Sequence, residues 1–294
     1  MKTLIRQTLI GICFGITLVS LSASANDFEV EQTLEESAES EDNNNGGFLK
    51  LGVGRRYSTA PDRFDVNQWD IFISGRYQWH GFFLEVTNNK QTGNNGASTG
   101  YNFYNTEQWS FDVNIQGVYG SQEGVLFFYQ NDQVVVPKRY STTMVGLRAT
   151  GRFEQTSVQF SVSPYSLNQE YDDGVHASVW VDRFWQIKNW QFNAALGVTY
   201  HSAEILNYYY GTPFDQFDGP IEGPTIEGFD YQASSGIDVT AQIGVSYPIS
   251  QDWIFESYAR YTDVADSITD SPYIQRFSTP ESGKEFGLLV SYVF

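Results

Sequence analysis

Strict alternation of apolar and polar side chains, in segments of about ten residues, is the feature of this sequence that most constrains its fold. In the segment from Trp190 to His201, every second side chain is apolar, and the positions between are polar or small. The apolar positions are Trp190, Phe192, Ala194, Leu196, Val198 and Tyr200. Segments that begin at Trp109 and at Ile237 repeat this pattern. Because successive side chains of a β-strand point to opposite faces, each segment predicts a strand with one apolar and one polar face.

The ends of the apolar faces distinguish a membrane barrel from a soluble β-sandwich, whose strands also alternate. Trp190 and Tyr200 end the apolar face of their segment, and Tyr247 ends that of the segment from Ile237. Trp and Tyr concentrate at the two membrane interfaces, so aromatic ends are typical of strands that cross a bilayer. Lipid satisfies no backbone hydrogen bonds, and a chain without long apolar helices can cross it only as a closed barrel. The sequence therefore predicts an all-β fold, a transmembrane antiparallel β-barrel.

The alternating segments and the connections between them give the expected topology. They predict about twelve strands, with ten or fourteen as alternatives. The strands lie near residues 47–57, 67–79, 82–89, 108–119, 122–130, 139–151, 155–163, 175–187, 190–202, 236–248, 252–264 and 283–294. Short turns are predicted at His80-Gly81, Gly120-Ser121, Arg152-Phe153-Glu154, Lys188-Asn189 and Ile249-Ser250-Gln251, and longer links near residues 58–66, 90–107, 131–138, 164–174, 203–235 and 265–282. Bacterial barrels alternate short periplasmic turns with longer external loops, so we expect both termini in the periplasm and every long link outside.

The first residues have the pattern of a signal peptide. Lys2 and Arg6 precede an apolar run from Thr8 to Leu21, and Ala23-Ser24-Ala25 is the small-x-small pattern that signal peptidase recognises. The run is shorter than the roughly 20 residues that a transmembrane helix needs. We therefore expect a signal peptide at residues 1–25, an acidic leader at 26–46 and the barrel at 47–294. Cys13, the only cysteine, falls in the signal peptide, so the exported protein would lack thiols and disulfides.

The charge of the chain is strongly negative, with 35 Asp and Glu against 17 Lys and Arg and a formal net charge of −18. Such a charge disfavours nucleic acid as a partner, because phosphates are also negative. Negative charge gathers between Asp27 and Asp42, and again at Tyr171-Asp172-Asp173 and residues 214–230. The leader has few apolar residues and ends in Asn43-Asn44-Asn45-Gly46-Gly47. This composition predicts a disordered, solvated tether.

The last predicted strand has the features of an assembly signal. Its apolar face carries Phe286, Leu288, Val290, Tyr292 and Phe294, and Phe294 is the last residue. An alternating strand with a C-terminal aromatic resembles the signal that the barrel-assembly machinery of Gram-negative bacteria recognises. We therefore expect a protein of the cell outer membrane, with that machinery and outer-membrane lipid as partners.

A second resemblance rests on residues of the last third of the chain. They are Tyr209-Tyr210-Gly211, Tyr231, Gly236, Trp253, Ala259-Arg260-Tyr261, Asp266, Ser271-Pro272 and the terminal Tyr292-Val293-Phe294. With them, roughly residues 205–294 resemble the MipA/OmpV family, outer-membrane barrels that include the MltA-interacting protein. The chain departs from the family pattern at Thr212-Pro213-Phe214, where a longer acidic insert begins. The resemblance implies a barrel without catalysis and, for some members, a role holding a lytic transglycosylase near a penicillin-binding protein.

The inward positions of the predicted strands raise transport as an alternative function. They include six charged residues, Lys50, Arg76, Arg148, Asp182, Glu256 and Arg260. Charges that face a lumen can line a water path, or pair across it and plug it. The sequence therefore leaves two functions open. The first is a scaffold or interaction protein for murein-remodelling enzymes, and the second is a narrow, porin-like diffusion channel for small solutes.

A membrane-embedded hydrolase is a third and weaker hypothesis. It needs a nucleophilic serine, a histidine and an orienting acid or amide brought together. By the alternation of the strands, His176 and His201 both face inward near the external rim. Ser178 and Ser202 are close to them in sequence, but no nucleophile motif surrounds either serine. The pair Asp172-Asp173 lacks the ligand spacing of a calcium site. We therefore predict no enzymatic activity, no metal and no cofactor.

Overall fold

The computed structural model describes residues 45–61, 63–87, 96–119, 125–129, 132–136, 138–167, 174–212, 231–275 and 281–294. The predicted signal peptide, the leader up to residue 44 and the acidic stretches at 171–173 and 214–230 lie outside these residues. The described strands are β1 (Gly46–Ala60), β2 (Arg63–Trp79), β3 (Phe82–Thr87), β4 (Gly96–Asn105), β5 (Trp109–Tyr119), β6 (Val125–Tyr129), β7 (Asp132–Val136), β8 (Thr142–Phe153), β9 (Thr156–Ser166), β10 (His176–Ile187), β11 (Trp190–His201), β12 (Gly236–Pro248), β13 (Trp253–Asp263) and β14 (Ser282–Val293). The described helices are α1 (Ala203–Tyr210), α2 (Asp266–Thr269) and α3 (Pro272–Gln275). No helix in this part of the chain is long and apolar enough to span a membrane.

Twelve of the described strands close into an antiparallel barrel, in the order β1-β14-β13-β12-β11-β10-β9-β8-β5-β4-β3-β2. The first and last strands complete the ring, since β1 pairs with β14 from Lys50 opposite Val293 to Thr59 opposite Lys284. Every barrel strand has a partner on both sides, so no edge is left to pair with another chain. The predicted antiparallel barrel of about twelve strands is confirmed.

The connections at one end of the barrel are short, at residues 80–81, 106–108, 154–155, 188–189 and 249–252. His80, Glu154 and Lys188 begin three of these turns with φ of 50°, 52° and 56°. Two-residue hairpin turns need positive φ, because that conformation matches the twist of the flanking strands. The described chain begins at the same end, where the His80 amide donates to Asn45 Oδ1 at 2.6 Å. Short turns lie on the periplasmic side of bacterial barrels, so the opposite end is external.

The count of twelve strands is right, but two of the predicted assignments were wrong. The predicted strand at 122–130 is outside the barrel, because β6 pairs with β7 in a separate hairpin. The missing barrel strand is β4, which lies inside the predicted link at 90–107. It was missed because Gly, Ser and Asn weaken its strand signal, and an irregularity between Asn102 and Tyr104 interrupts its alternation. As a result, β5 runs toward the external end, and the predicted turn at Gly120-Ser121, which follows it in the sequence, lies outside the described residues.

The prediction that every external link is long was also wrong at the first hairpin. The predicted link at 58–66 is almost entirely strand, since β1 and β2 pair as far as Ala60 opposite Arg63. Only residues 61–62 separate the two strands. One short link therefore lies at the external end, but the other links there are all longer than the periplasmic turns, so the set of lengths still distinguishes the two ends.

The two faces of the barrel wall have opposite chemistry, as the alternation predicted. Val113 is 40% exposed and Ile243 is 64% exposed on the outer face, whereas the inner face is buried and mostly polar, with a few apolar side chains such as Phe72 and Leu289. Aromatic side chains gather near the periplasmic turns, where Trp79, Trp109, Trp190 and Trp253 each lie within a few residues of a turn. Such a belt is typical of the membrane interface of outer-membrane barrels.

Candidate functional site

The six charged residues predicted at inward positions all lie on barrel strands, with their side chains on the inner side of the wall. Five of them are at most 9% exposed, and these are Lys50, Arg148, Asp182, Glu256 and Arg260. The sixth, Arg76, is less buried, with a side chain 29% exposed. Buried charges are expensive unless they are paired, so their partners determine what the lumen can do.

A four-member charge cluster, Arg76, Glu85, Asp112 and Arg148, lies along the inner wall from β2 to β8, on either side of β4. Arg148 on β8 lies directly opposite Asp112 on β5, and its Nε donates to Asp112 Oδ2 at 2.9 Å. Its Nη1 also reaches Glu85 on β3, at 3.1 Å. Arg76 approaches the same Glu85 with a nitrogen–oxygen distance of 3.6 Å. The two guanidinium groups lie 4.6 and 5.1 Å from the centroid of the Phe83 ring, so a cation–π contact joins the cluster.

Two further polar groups fill the other side of the lumen. Lys50 Nζ lies 2.7 Å from Glu256 Oε1, and the Ser291 hydroxyl donates to Glu256 Oε2 at 2.9 Å. The second group is Arg260 with Gln242, Glu285 and Tyr258: Arg260 Nε donates to Gln242 at 2.8 Å, and the Tyr258 hydroxyl donates to Glu285 at 2.7 Å. These contacts join strands that are not all neighbours in the ring. These buried charges are therefore paired, and they connect β1 with β13 and β3 with β8 along the inner wall.

The external end of the barrel carries a compact group of helices and links, which we call the cap (residues 203–212, 231–235 and 264–275). Its apolar core contains Ile205, Leu206, Tyr208, Tyr209, Tyr210, Ala233, Ala265, Ile268 and Ile274, together with Met144 of β8. Tyr119, the last residue of β5, stacks on Tyr209 with ring centroids 4.5 Å apart. The cap follows β11 and β13 yet packs against β5 and β8, which are several strands away around the ring. It therefore extends across the external mouth.

Some of the residues that carry the family resemblance come together in the cap, whereas others, such as Trp253, Arg260 and Tyr292, lie on barrel strands. Ser271 is fully buried, and its hydroxyl donates to the backbone oxygen of Tyr210 at 2.6 Å. Tyr209 donates to the backbone oxygen of Tyr140 at 2.6 Å, and its hydroxyl lies 2.7 Å from that of Thr142. Gly211 ends α1 where a Cβ atom would lie 2.5 Å from the backbone oxygen of Asn207. Pro272, next to Ser271, begins α3. The motif residues thus hold the cap together and attach it to the barrel.

A second set of contacts attaches the cap at Asp238, near the start of β12. Its Oδ1 accepts the backbone N–H of Ala265 at 2.8 Å, and its Oδ2 lies 3.2 Å from His201 Nε2. Tyr231 donates its hydroxyl hydrogen to the backbone oxygen of Ser267 at 2.8 Å. Burial, together with the Asp270 carboxylate, raises the pKa of Tyr231, so this hydroxyl remains a donor.

The two histidines of the hydrolase hypothesis meet beneath the cap. His176 and His201 are opposite one another on β10 and β11, with their Nδ1 atoms 3.3 Å apart. The Tyr119 hydroxyl lies 3.2 Å from His201 Nδ1. Ser202 is engaged elsewhere, since its hydroxyl accepts the backbone N–H of Val175 at 2.9 Å. Sequence reasoning placed the histidines near each other but missed Tyr119, whose contact depends on the position of β5 in the ring.

The residues of the predicted assembly signal lie along the outer face of β14. Phe286, Leu288, Val290 and Phe294 are between 37% and 66% exposed. Tyr292 packs edge-on against Trp253 and against Phe294, with ring centroids 5.2 and 4.7 Å away. The strand therefore presents a row of apolar side chains to lipid, and this row ends in an aromatic group at the periplasmic side.

Comparison with known proteins identifies a family and several barrels of similar fold. The model of the family described as MltA-interacting protein MipA matches residues 49–294, and so covers far more than the segment at 205–294. No curated protein matches. Among solved structures, the NanC porin has a TM-score of 0.40 at 9% sequence identity, and the match covers 82% of this chain and 98% of the porin chain. A loop deletion mutant of OmpT from Vibrio cholerae has a TM-score of 0.39 at 8% sequence identity, and the match covers 85% of this chain and 98% of the mutant. The KdgM porin has a TM-score of 0.37 at 10% sequence identity, and the match covers 83% of this chain and 99% of the porin.

Proposed function

Because the chain belongs to the MltA-interacting protein MipA family, we propose that it is a non-conducting outer-membrane scaffold for murein-remodelling enzymes. The family and the closed barrel place it in the outer membrane of a Gram-negative bacterium. The proposed partner is a lytic transglycosylase, in keeping with the family's description, and a penicillin-binding protein is a second partner. Fold alone does not determine such a role, so the proposal rests on how the barrel is closed.

The observations that carry the proposal are the burial and pairing of the inward charges and the cap at the external mouth. Arg148 and Asp112 are each 1% exposed at the side chain and form an ion pair of 2.8 Å within the barrel. The cap adds an apolar core across the external mouth. A conducting barrel needs an open, water-filled path, whereas buried, paired charges and a capped mouth favour a barrel that acts through its surfaces. The narrow diffusion channel remains the alternative that the experiments below distinguish.

Geometry and charge favour the periplasmic end as the contact surface. Murein lies in the periplasm, and this end of the described barrel carries only short turns, with Glu107, Glu154 and Asp252 among their residues. The leader adds eight acidic and no basic residues between Asp27 and Asp42. An acidic segment attached beside these turns would attract basic surfaces of a partner, and salt would weaken the attraction.

Pull-down of a lytic transglycosylase and a penicillin-binding protein from solubilised envelopes tests the proposal. We expect capture by the wild type, weaker capture after deletion of residues 27–42, and a further decrease as salt rises. A matched variant, in which the acidic residues of 27–42 become Asn or Gln at unchanged length, should lose capture like the deletion. Capture that survives both changes would assign the contact to the periplasmic turns. Absence of capture by the wild type would contradict the scaffold.

A further inference from the structure

The histidine pair beneath the cap has no role in the proposed scaffold, yet its geometry is specific. The chain has three histidines, and two of them, His176 and His201, face each other across β10 and β11. They are 8% and 5% exposed. Residues directly opposite in an antiparallel pair have Cβ atoms only about 5 Å apart, so two imidazoles there can bind one ion together.

The hydrogen bonds of His201 determine which of its ring nitrogens is available. Its Nε2 lies 3.2 Å from Asp238 Oδ2, and an ionised carboxylate only accepts hydrogen bonds, so we assign the hydrogen to Nε2. The Nδ1 of His201 then has a lone pair, with His176 Nδ1 3.3 Å away and the Tyr119 hydroxyl 3.2 Å away. Without an ion, the Tyr119 hydroxyl or the His176 Nδ1–H can donate to this lone pair. Transfer of the His176 hydrogen from Nδ1 to Nε2 gives both Nδ1 atoms a lone pair.

The separation of the two nitrogens matches that of two ligands on one metal ion. Ligands at about 2.0 to 2.1 Å from a tetrahedral ion are roughly 3.3 to 3.4 Å apart, and the two Nδ1 atoms are 3.3 Å apart. Asp238 would be the carboxylate that orients a metal-bound imidazole, as in many zinc sites. In the described part of the chain, no three His, Cys, Asp or Glu side chains form a metal cluster. The histidine pair would therefore use a tyrosine or water oxygen to complete its coordination.

We propose that His176 and His201 bind one divalent transition-metal ion through their Nδ1 atoms, with Asp238 as the residue that positions His201. Imidazole ligands favour zinc, copper and nickel over magnesium and calcium. The ion would bridge β10 and β11 directly below the cap, and Asp238 also holds the cap through the Ala265 N–H. Binding would therefore stabilise the attachment of the cap to the barrel.

Calorimetric titration of the barrel in detergent with Zn²⁺, at physiological salt and in excess Mg²⁺, tests the proposal. The Mg²⁺ suppresses weak binding to the acidic segments, which prefer hard cations. We expect one ion per chain in the wild type, at least a tenfold weaker affinity in His176→Gln and His201→Gln, and roughly a 10- to 100-fold loss in Asp238→Asn. Heat-modifiable migration checks that each variant is folded.

His80 supplies the matched control, because it is exposed in a periplasmic turn at the opposite end of the barrel. His80→Gln should bind Zn²⁺ like the wild type. Thermal unfolding gives a second readout. Zn²⁺ should raise the Tm of the wild type and of His80→Gln, and it should leave the Tm unchanged when His176 or His201 is replaced. Absence of binding to the wild type, or equal binding by His176→Gln and His201→Gln, would overturn the proposal.

Discussion

Replacement of Arg148 by methionine tests whether the lumen is closed to water. Arg148 and Asp112 are each 1% exposed and 2.8 Å apart, and Arg148 also lies 3.1 Å from Glu85. The substitution would leave the Asp112 carboxylate buried, with Arg76 3.9 Å away. Removal of one partner from a buried pair costs about 3 to 5 kcal/mol, whereas a solvated pair contributes about 0 to 1 kcal/mol. We expect Arg148→Met to lower the free energy of unfolding by the larger amount in reversible unfolding from lipid bilayers.

Arg56→Met is the matched control, because Arg56 pairs with Asp70 at 2.6 Å on neighbouring strands with both side chains more than a quarter exposed. Arg56→Met should lower the free energy of unfolding by at most about 1 kcal/mol. The double variant Asp112→Asn with Arg148→Met should recover part of the loss, since it removes both charges. A loss for Arg148→Met as small as that for Arg56→Met would mean that water screens the lumen. That result would refute the reasoning that the lumen is filled and dry.

The remaining predictions concern the outer face, assembly and the cap. Ile243→Arg, on the lipid face near the middle of β12, should cost about 2 to 4 kcal/mol in the same unfolding assay, and the inward Thr199→Arg should cost less. Equal losses would contradict the assignment of faces. Deletion of Phe294 should lower the amount of heat-modifiable barrel in the outer membrane, and unchanged levels would exclude this residue from the assembly signal. Tyr209→Phe should remove two hydrogen bonds and lower the free energy of unfolding by about 1 to 3 kcal/mol. It should also make the cap more susceptible to external protease, whereas Tyr165→Phe on the outer face should have neither effect.

The sequence predicted most reliably the strands whose alternation is complete. The segments from Trp190 and Ile237 became β11 and β12 within about a residue of the expected bounds. In contrast, β4 was missed because its inner face consists of small residues and its register shifts between Asn102 and Tyr104. Periodicity measures only the contrast between two faces, so a strand with little contrast is invisible to it.

The lumen and the cap were predictable to different degrees. The alternation of the strands placed Arg148 and Glu256 at inward positions, but it could not identify the residues that pair with them. Such pairing depends on register and on the order of strands in the ring. The cap could not be predicted as a structure, because Tyr209 and Ser271 are 62 residues apart and belong to links without strand periodicity. Their shared role emerges only from contacts between distant links.

The central claim, that this barrel acts through its surfaces and not as a pore, is tested most directly by single-channel recording. The wild-type barrel, purified from outer membranes and reconstituted into planar bilayers, should produce no stepwise conductance, because the charges around Arg148 are buried and paired and the cap extends across the external mouth. An established porin reconstituted in the same way confirms that insertion is detected. Reproducible, ohmic conductance steps from the wild type would contradict the account and identify the protein as a diffusion channel.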